Sequence, residues 1–297
     1  MYHQPALLHE CIEGLSINPS GIYADLTFGG GGHSREILAK LNADGRLIAF
    51  DQDEDSLQND LDDERFTLVN ENFRYLKNFL RLHKALPLDG ILADLGISSH
   101  QIDTPERGFA TRFDGPLDMR MGRNQGVTAS RMVNTYPEEK LRSVFHLYGE
   151  LSNARQLAAA IVQARTNPIT TTTGLKEAIK SCLPSNYENK ILAQIFQAIR
   201  IEINDEMGAL QAMLKQCADV LKPGGRLVII SYHSLEDRFV KNYMKSGNME
   251  GILEKDFYGN ILAPLKSISR KPITPDKAEL ASNPRSRSAK LRVAQKI

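Results

Sequence analysis

Three aspartates in this chain each close an apolar run, and a fourth run closes on a tyrosine–histidine pair. Asp25 follows residues 21–24 and Asp51 follows Arg46-Leu47-Ile48-Ala49-Phe50. Asp94 follows residues 89–93, and Tyr232-His233-Ser234 follow residues 226–231. A carboxylate is an acceptor-only group. At a strand end it can hold a vicinal diol, orient an amino group or face a cation. Each aspartate alone is also an ordinary turn former. Four polar strand ends around one glycine turn make a site.

That turn is Gly29-Gly30-Gly31-Gly32-His33-Ser34, between an apolar run and a helical pattern over 34–41. Strand, glycine turn and helix open a nucleotide-binding α/β unit. Glycines let the backbone approach a ligand, and the first N–H groups of the helix face whatever binds. Asp51 lies about 20 residues beyond, the usual spacing for a carboxylate on ribose hydroxyls. Asp53, Glu54 and Asp55 read as a solvated acidic run. His33 and Ser34 stand where a dinucleotide fold places small residues. The turn therefore points away from NAD and toward another adenosine ligand. S-adenosylmethionine is the leading candidate, with a ribose but no pyrophosphate.

Positioning these ends requires a parallel sheet. Residues 46–50, 66–69, 89–94 and 226–231 read as further strands, with helical spacing over 73–83, 210–221 and 235–244. Residues 260–269 and 289–295 read as a closing pair. The fold class is α/β, a Rossmann-like, mostly parallel sheet with helices on both faces. Residues 128–203 carry helical patterns and no strand pattern. The expected domains are 1–103 with 206–297, and a helical insertion over 104–205.

Hydrophobic content of 41% and charged content of 25% suit a globular protein. The net charge of +1 is unevenly spread: residues 266–297 hold nine bases and two acids, a tail able to follow a phosphate backbone. Cys11, Cys182 and Cys217 lack metal-ligand spacing and suggest no disulfide framework. The first residues have no signal-peptide pattern, and no apolar run reaches membrane-spanning length. The expected compartment is the cytoplasm, with no membrane partner.

Beyond the turn and strand ends, matching segments span nearly the whole chain: residues 3–8, 29–34, 94–99, 105–109, 114–121, 200–206, 231–238 and 283–292. The most specific are Asp114-Gly115-Pro116-Leu117-Asp118-Met119-Arg120-Met121 and Tyr232-His233-Ser234-Leu235-Glu236-Asp237-Arg238. On these segments the sequence resembles the bacterial 16S ribosomal RNA cytosine-N4 methyltransferases. The resemblance implies S-adenosylmethionine as cofactor, held at Gly31, Gly32, His33, Asp51, Phe73, Asp94 and Gln101. It implies 16S ribosomal RNA as partner, within the small subunit, with a homodimer left open. Read as residues alone, Phe73 fits ordinary core and Gln101 a solvated loop.

The implied reaction is a direct displacement, which needs no metal and no covalent enzyme intermediate. The nucleophile is the difficulty, because the cytosine N4 lone pair is delocalised into the ring. Asp94 is placed to accept an N4 hydrogen. Many amino-methyltransferases follow that acceptor with Pro-Pro-aromatic, but here Leu95-Gly96-Ile97 follows. An aromatic platform must then come from Tyr232 or His233, and the candidate catalytic residues are Asp94, Tyr232 and His233. Arg107, Arg120, Arg123, Arg285 and Arg287 are candidate RNA contacts, beside Arg112, Lys290 and Arg292. Some of these serve structural salt bridges. The alternatives are an amino-methyltransferase acting on DNA or a small molecule, and a non-catalytic RNA-binding assembly factor.

Overall fold

The computed structural model describes residues 5–124 and 126–297. His3 and Gln4 of the first matching segment lie outside the described residues. The chain divides into two compact units, residues 1–96 with 208–297, and residues 97–207.

The discontinuous unit opens with α1 (Leu8–Leu15), β1 (Ile22–Asp25), α2 (Gly32–Lys40), β2 (Arg46–Phe50), β3 (Phe66–Val69), α3 (Leu76–Leu82) and β4 (Leu88–Asp94). The continuous unit holds α4 (Ser99–Asp103), α5 (Ala129–Thr135), α6 (Glu138–Leu147), α7 (Ala154–Ala164), α8 (Thr172–Ile179) and α9 (Glu188–Asn204). The chain then runs through α10 (Glu206–Val220), β5 (Leu221–Ser231), α11 (Ser234–Ser246), β6 (Leu265–Ser267), α12 (Lys277–Ser282) and β7 (Lys290–Lys296).

The seven strands lie in the order β3-β2-β1-β4-β5-β7-β6. The first five are parallel, and β7 runs antiparallel between β5 and β6. Strand order reverses between β1 and β4, so their carboxyl ends flank the crevice where such sheets take ligands. Residues 47–50 and 91–93 are buried throughout, as parallel strands covered on both faces must be. Leu47, Leu92, Val228 and Ile230 pack in one core with Ile37 of α2 and Leu15 of α1. The continuous unit has its own core, centred on Val144, Leu157, Ile195 and Ile199. No strand is formed among its described residues; Pro116 and Thr171 make one isolated bridge. No helix of the described residues is long and apolar enough to cross a membrane.

The structure departs from the sequence reading in places. Residues 73–75 form a short 3-10 turn before α3, because Asn72 accepts from the Arg74 N–H and tightens the entry. Residues 290–296 form the strand expected there, β7, paired on both sides, but the Arg292 side chain is not left free for a phosphate. Arg292 is bound to Asp237 through Nε–Oδ1 and Nη2–Oδ2 contacts of 2.7 and 3.2 Å.

Candidate active site

The glycine turn links β1 to α2. Gly31 is the N-cap of α2 with φ 76 and ψ 14, and no side chain caps the helix there. The first-turn N–H groups of α2 therefore keep their demand for an acceptor. The packing around these glycines differs from the expectation that their missing side chains admit a ligand. A Cβ on Gly32 would lie 2.2 Å from Pro5 Cγ, and one on Gly31 would lie 2.9 Å from Phe28 Cε2. The protein itself fills the space a side chain would take. A ligand has the N–H side of the turn to approach.

Asp51 turns back onto this loop. Its Oδ2 accepts from the Gly29 N–H at 2.7 Å, and its Oδ1 accepts from Asp53 N at 2.9 Å. Burial pushes its carboxyl up to about 6, against those two hydrogen bonds. The segment after β3 is tied to the same place. Asn70 Nδ2 donates to the Asp51 carbonyl at 2.9 Å, and Asn72 Nδ2 donates to Gln52 Oε1 at 2.6 Å. Half-buried Phe73 follows Asn72 directly in the chain and opens the short 3-10 turn there.

At the switch between β1 and β4, three acidic or aromatic ends meet. Asp25 is buried and accepts from Ser34 Oγ at 2.7 Å and from Thr27 N at 3.1 Å. Burial raises its pKa, and these bonds oppose the rise. The Asp94 N–H donates to Thr27 Oγ1 at 2.6 Å. The Asp94 carboxylate accepts from the Tyr232 hydroxyl, at 2.8 Å on Oδ1. Its Oδ2 lies 4.0 Å from His33 Nδ1. Burial pushes Asp94 up to about 6, and the Tyr232 hydrogen bond opposes the rise. Burial lowers the pKa of His33, which favours the neutral ring. His33 Nε2 sits 3.1 Å from the Ala6 carbonyl, an acceptor, so the ring proton belongs on Nε2. His33 Nδ1 and Asp94 Oδ2 are then two acceptors facing one space.

His233 takes a different part from the one anticipated. Its Nδ1 receives the Glu236 N–H at 3.5 Å, and the two residues form a capping box at the start of α11. Its Nε2 lies 3.1 Å from Glu236 Oε1. No aligned hydrogen bond reaches that nitrogen. The ring closes its own helix and is not presented as a platform for a base.

Gln101 belongs to the continuous unit. It is buried, and its Oε1 accepts from Ser98 N at 3.1 Å in the capping box of α4. Arg107 is a correction. It is 2% exposed, and its guanidinium donates to the carbonyls of Arg120 and Met121 at 3.0 and 2.9 Å. A group so enclosed holds the 105–121 segment together and does not reach a phosphate. Arg120 is paired with Asp118 at 2.9 Å and donates to the Arg123 carbonyl at 2.7 Å. Arg123 and Arg287 are exposed, and Arg285 is half-buried beside Arg287 on a 3-10 turn. Arg112 is bound to Asp103 and lies 4.6 Å above the Phe113 ring.

Sequence reasoning missed Thr27 and Ser34, which fix Asp94 and Asp25. Thr27 lies just before the glycine turn and Ser34 at its end, so both hydroxyls fall beside the ends of β1 and β4. It also missed Glu236, although a cap candidate followed by Glu three residues later is a helix-start signal.

The model of the MraW methylase family matches residues 1–297. The Ribosomal RNA small subunit methyltransferase H of Flavobacterium johnsoniae is 60% identical over 297 residues, covering 100% of this chain and 98% of that protein. The protein of the same name from Bacteroides thetaiotaomicron is 57% identical over 296 residues, covering 99% of this chain and 97% of that protein.

Proposed function

Because this chain belongs to the MraW methylase family, we propose that it transfers the methyl group of S-adenosylmethionine to the N4 amino group of a cytidine in the decoding region of 16S ribosomal RNA. It would do so in the cytoplasm, on RNA carried by the small subunit. The two relatives are named for methylation of small-subunit ribosomal RNA. One observation carries the choice of an amino nitrogen: Asp94 Oδ2 and His33 Nδ1 are acceptors 4.0 Å apart, and an exocyclic amino group brings two N–H donors.

The residues suit the donor. The open first turn of α2, at Gly32 and His33, complements a methionine carboxylate. Asp51 complements the ribose hydroxyls, and Phe73 offers a face for adenine. S-adenosylmethionine supplies an already activated methyl on a sulfonium, so Gly31, Gly32, His33, Asp51 and Phe73 need only bind and align it.

Asp94 does the chemical work assigned to the chain. As a carboxylate it accepts an N4 hydrogen and loosens the lone pair from the ring. When the N4–methyl bond forms, N4 carries an extra proton. Asp94, with its carboxyl near 6, is matched to receive it. Tyr232 holds the carboxylate in orientation from Oδ1 and leaves Oδ2 toward His33. Much of the rate comes from aligning nitrogen and methyl. Gln101 remains a candidate cofactor contact, and the helical unit, with Arg120 and Arg123, a candidate RNA-recognition element. Arg285 and Arg287 are further candidate phosphate contacts.

Incubating the protein and labelled S-adenosylmethionine with small subunits that lack the modification tests this. The expected result is label on one cytidine N4. Label elsewhere, or none, overturns the reading.

A further inference from the structure

Between α11 and β6 the chain makes a hairpin whose turn is built around Asp256. Asp256 Oδ1 accepts from the N–H groups of Tyr258 and Asn260, both at 2.8 Å, and Oδ2 accepts from Asn260 Nδ2 at 2.9 Å. The strands of the turn are joined by Asp256 N to the Asn260 carbonyl and Leu262 N to the Glu254 carbonyl, both 2.9 Å. Those hydrogen bonds, Asn260 foremost, hold the Asp256 carboxyl below its ordinary range, so it stays ionised. At the tip of this braced turn, Phe257 is 98% exposed and Tyr258 86%. Their rings meet edge to face, with centroids 5.6 Å apart.

An aromatic ring left almost wholly in water costs apolar burial that a fold normally recovers. Two adjacent rings held out on a rigid turn are placed for a flat partner. The charge around them selects which. Along the chain, residues 241–271 carry six bases (Lys241, Lys245, Lys255, Lys266, Arg270, Lys271) against three acids (Glu250, Glu254, Asp256). Exposed aromatic faces on a segment of net positive charge match single-stranded nucleic acid, whose bases stack while its phosphates pair with the cations. We infer that Phe257 and Tyr258 form a stacking platform for an unpaired base of the ribosomal RNA, at a contact separate from the base that is methylated. This rests on the proposed RNA substrate.

The chain contains no tryptophan, so Tyr258→Trp installs a single reporter at the tip. Titration of the full-length Tyr258→Trp protein with 16S ribosomal RNA should quench its emission, and inorganic polyphosphate should not. The Phe257→Ala/Tyr258→Ala protein should bind the RNA about 10- to 100-fold more weakly. The slope of affinity against salt should stay unchanged, because no charge is removed. Thermal unfolding should move little, since neither ring is buried in the core. An unquenched tryptophan at saturating RNA overturns the inference, as does unchanged affinity of the double variant. So does a wild-type dimer that the double variant splits without loss of RNA affinity, which would mean a second copy covers the tip. In each of those cases methyl transfer by the wild-type protein continues, whereas failure of the proposed function abolishes it.

Discussion

The Tyr232 hydroxyl donates to Asp94 Oδ1 at 2.8 Å, joining the ends of two neighbouring parallel strands. The bond favours the ionised carboxylate against the burial that raises it. Tyr232→Phe removes the donor and leaves burial unopposed on that oxygen. The acid limb of the rate profile, which should sit near pH 6 in the wild type, should move to higher pH. The maximal rate should fall about tenfold. A profile measured with saturating substrate checks both; an unmoved limb shows that Tyr232 does not set the ionisation of Asp94.

Asp94→Asn separates chemistry from binding. Loss of the proton acceptor should lower methyl transfer by ~100-fold or more, while S-adenosylmethionine affinity by calorimetry changes a few-fold at most.

The same substitution should stabilise the fold at neutral pH. The Asp94 carboxyl rises from 3.8 to about 6 on folding, so the folded chain holds the proton more tightly than the unfolded one. That contribution is complete below about 3.8 and is lost as pH rises through about 6. At pH 8 the wild type carries an unfavourable buried charge and the asparagine variant does not. A gain on the order of 1 kcal/mol in denaturant unfolding is expected, shrinking as the pH falls to 4.

Ser34→Ala leaves Asp25 Oδ2 buried without its hydroxyl donor. A loss of about 1–3 kcal/mol is expected from an unsatisfied buried acceptor. Ser34→Thr, which keeps a hydroxyl, should recover part of it, and chemical denaturation of the three proteins decides.

Gly32→Ala should weaken cofactor binding and stability together, because the added Cβ meets Pro5 Cγ at 2.2 Å. Removing that carbon in Gly32→Ala/Pro5→Ala should restore both. If the glycine were required for ligand approach alone, the second change would rescue stability and leave binding impaired.

The parallel half of the sheet was legible because buried strands read as continuous apolar runs, and because each run of interest stopped on a charged or polar residue. β2 and β3 fall on the residues their composition marks. What the pattern could not convey was pairing across the sheet. That Tyr232 reaches Asp94 follows from the register Asp94 to Ile230, which no local signal encodes. The last strand was visible as Leu291 and Val293, both buried. Yet its lysines and arginines invited a reading as a phosphate-binding tail, because charge counting ignores which residue answers each charge. Arg292 is answered by Asp237 and Arg107 by backbone carbonyls. The site's aspartates were found by position, but their raised pKa values are consequences of burial and belong to the folded state alone.

The discontinuity of the sheet has a consequence for biosynthesis. β4 closes at Asp94, and its partner β5 starts at Leu221. Roughly 130 residues of translation separate them, on the order of ten seconds at about 5–20 residues per second. The helical unit, rich in near-neighbour packing, can finish inside that interval. Through it, the newly made half-sheet presents a bare strand border with apolar side chains on both faces. Until β5 has left the exit tunnel, Leu88–Asp94 lacks its neighbour on that side.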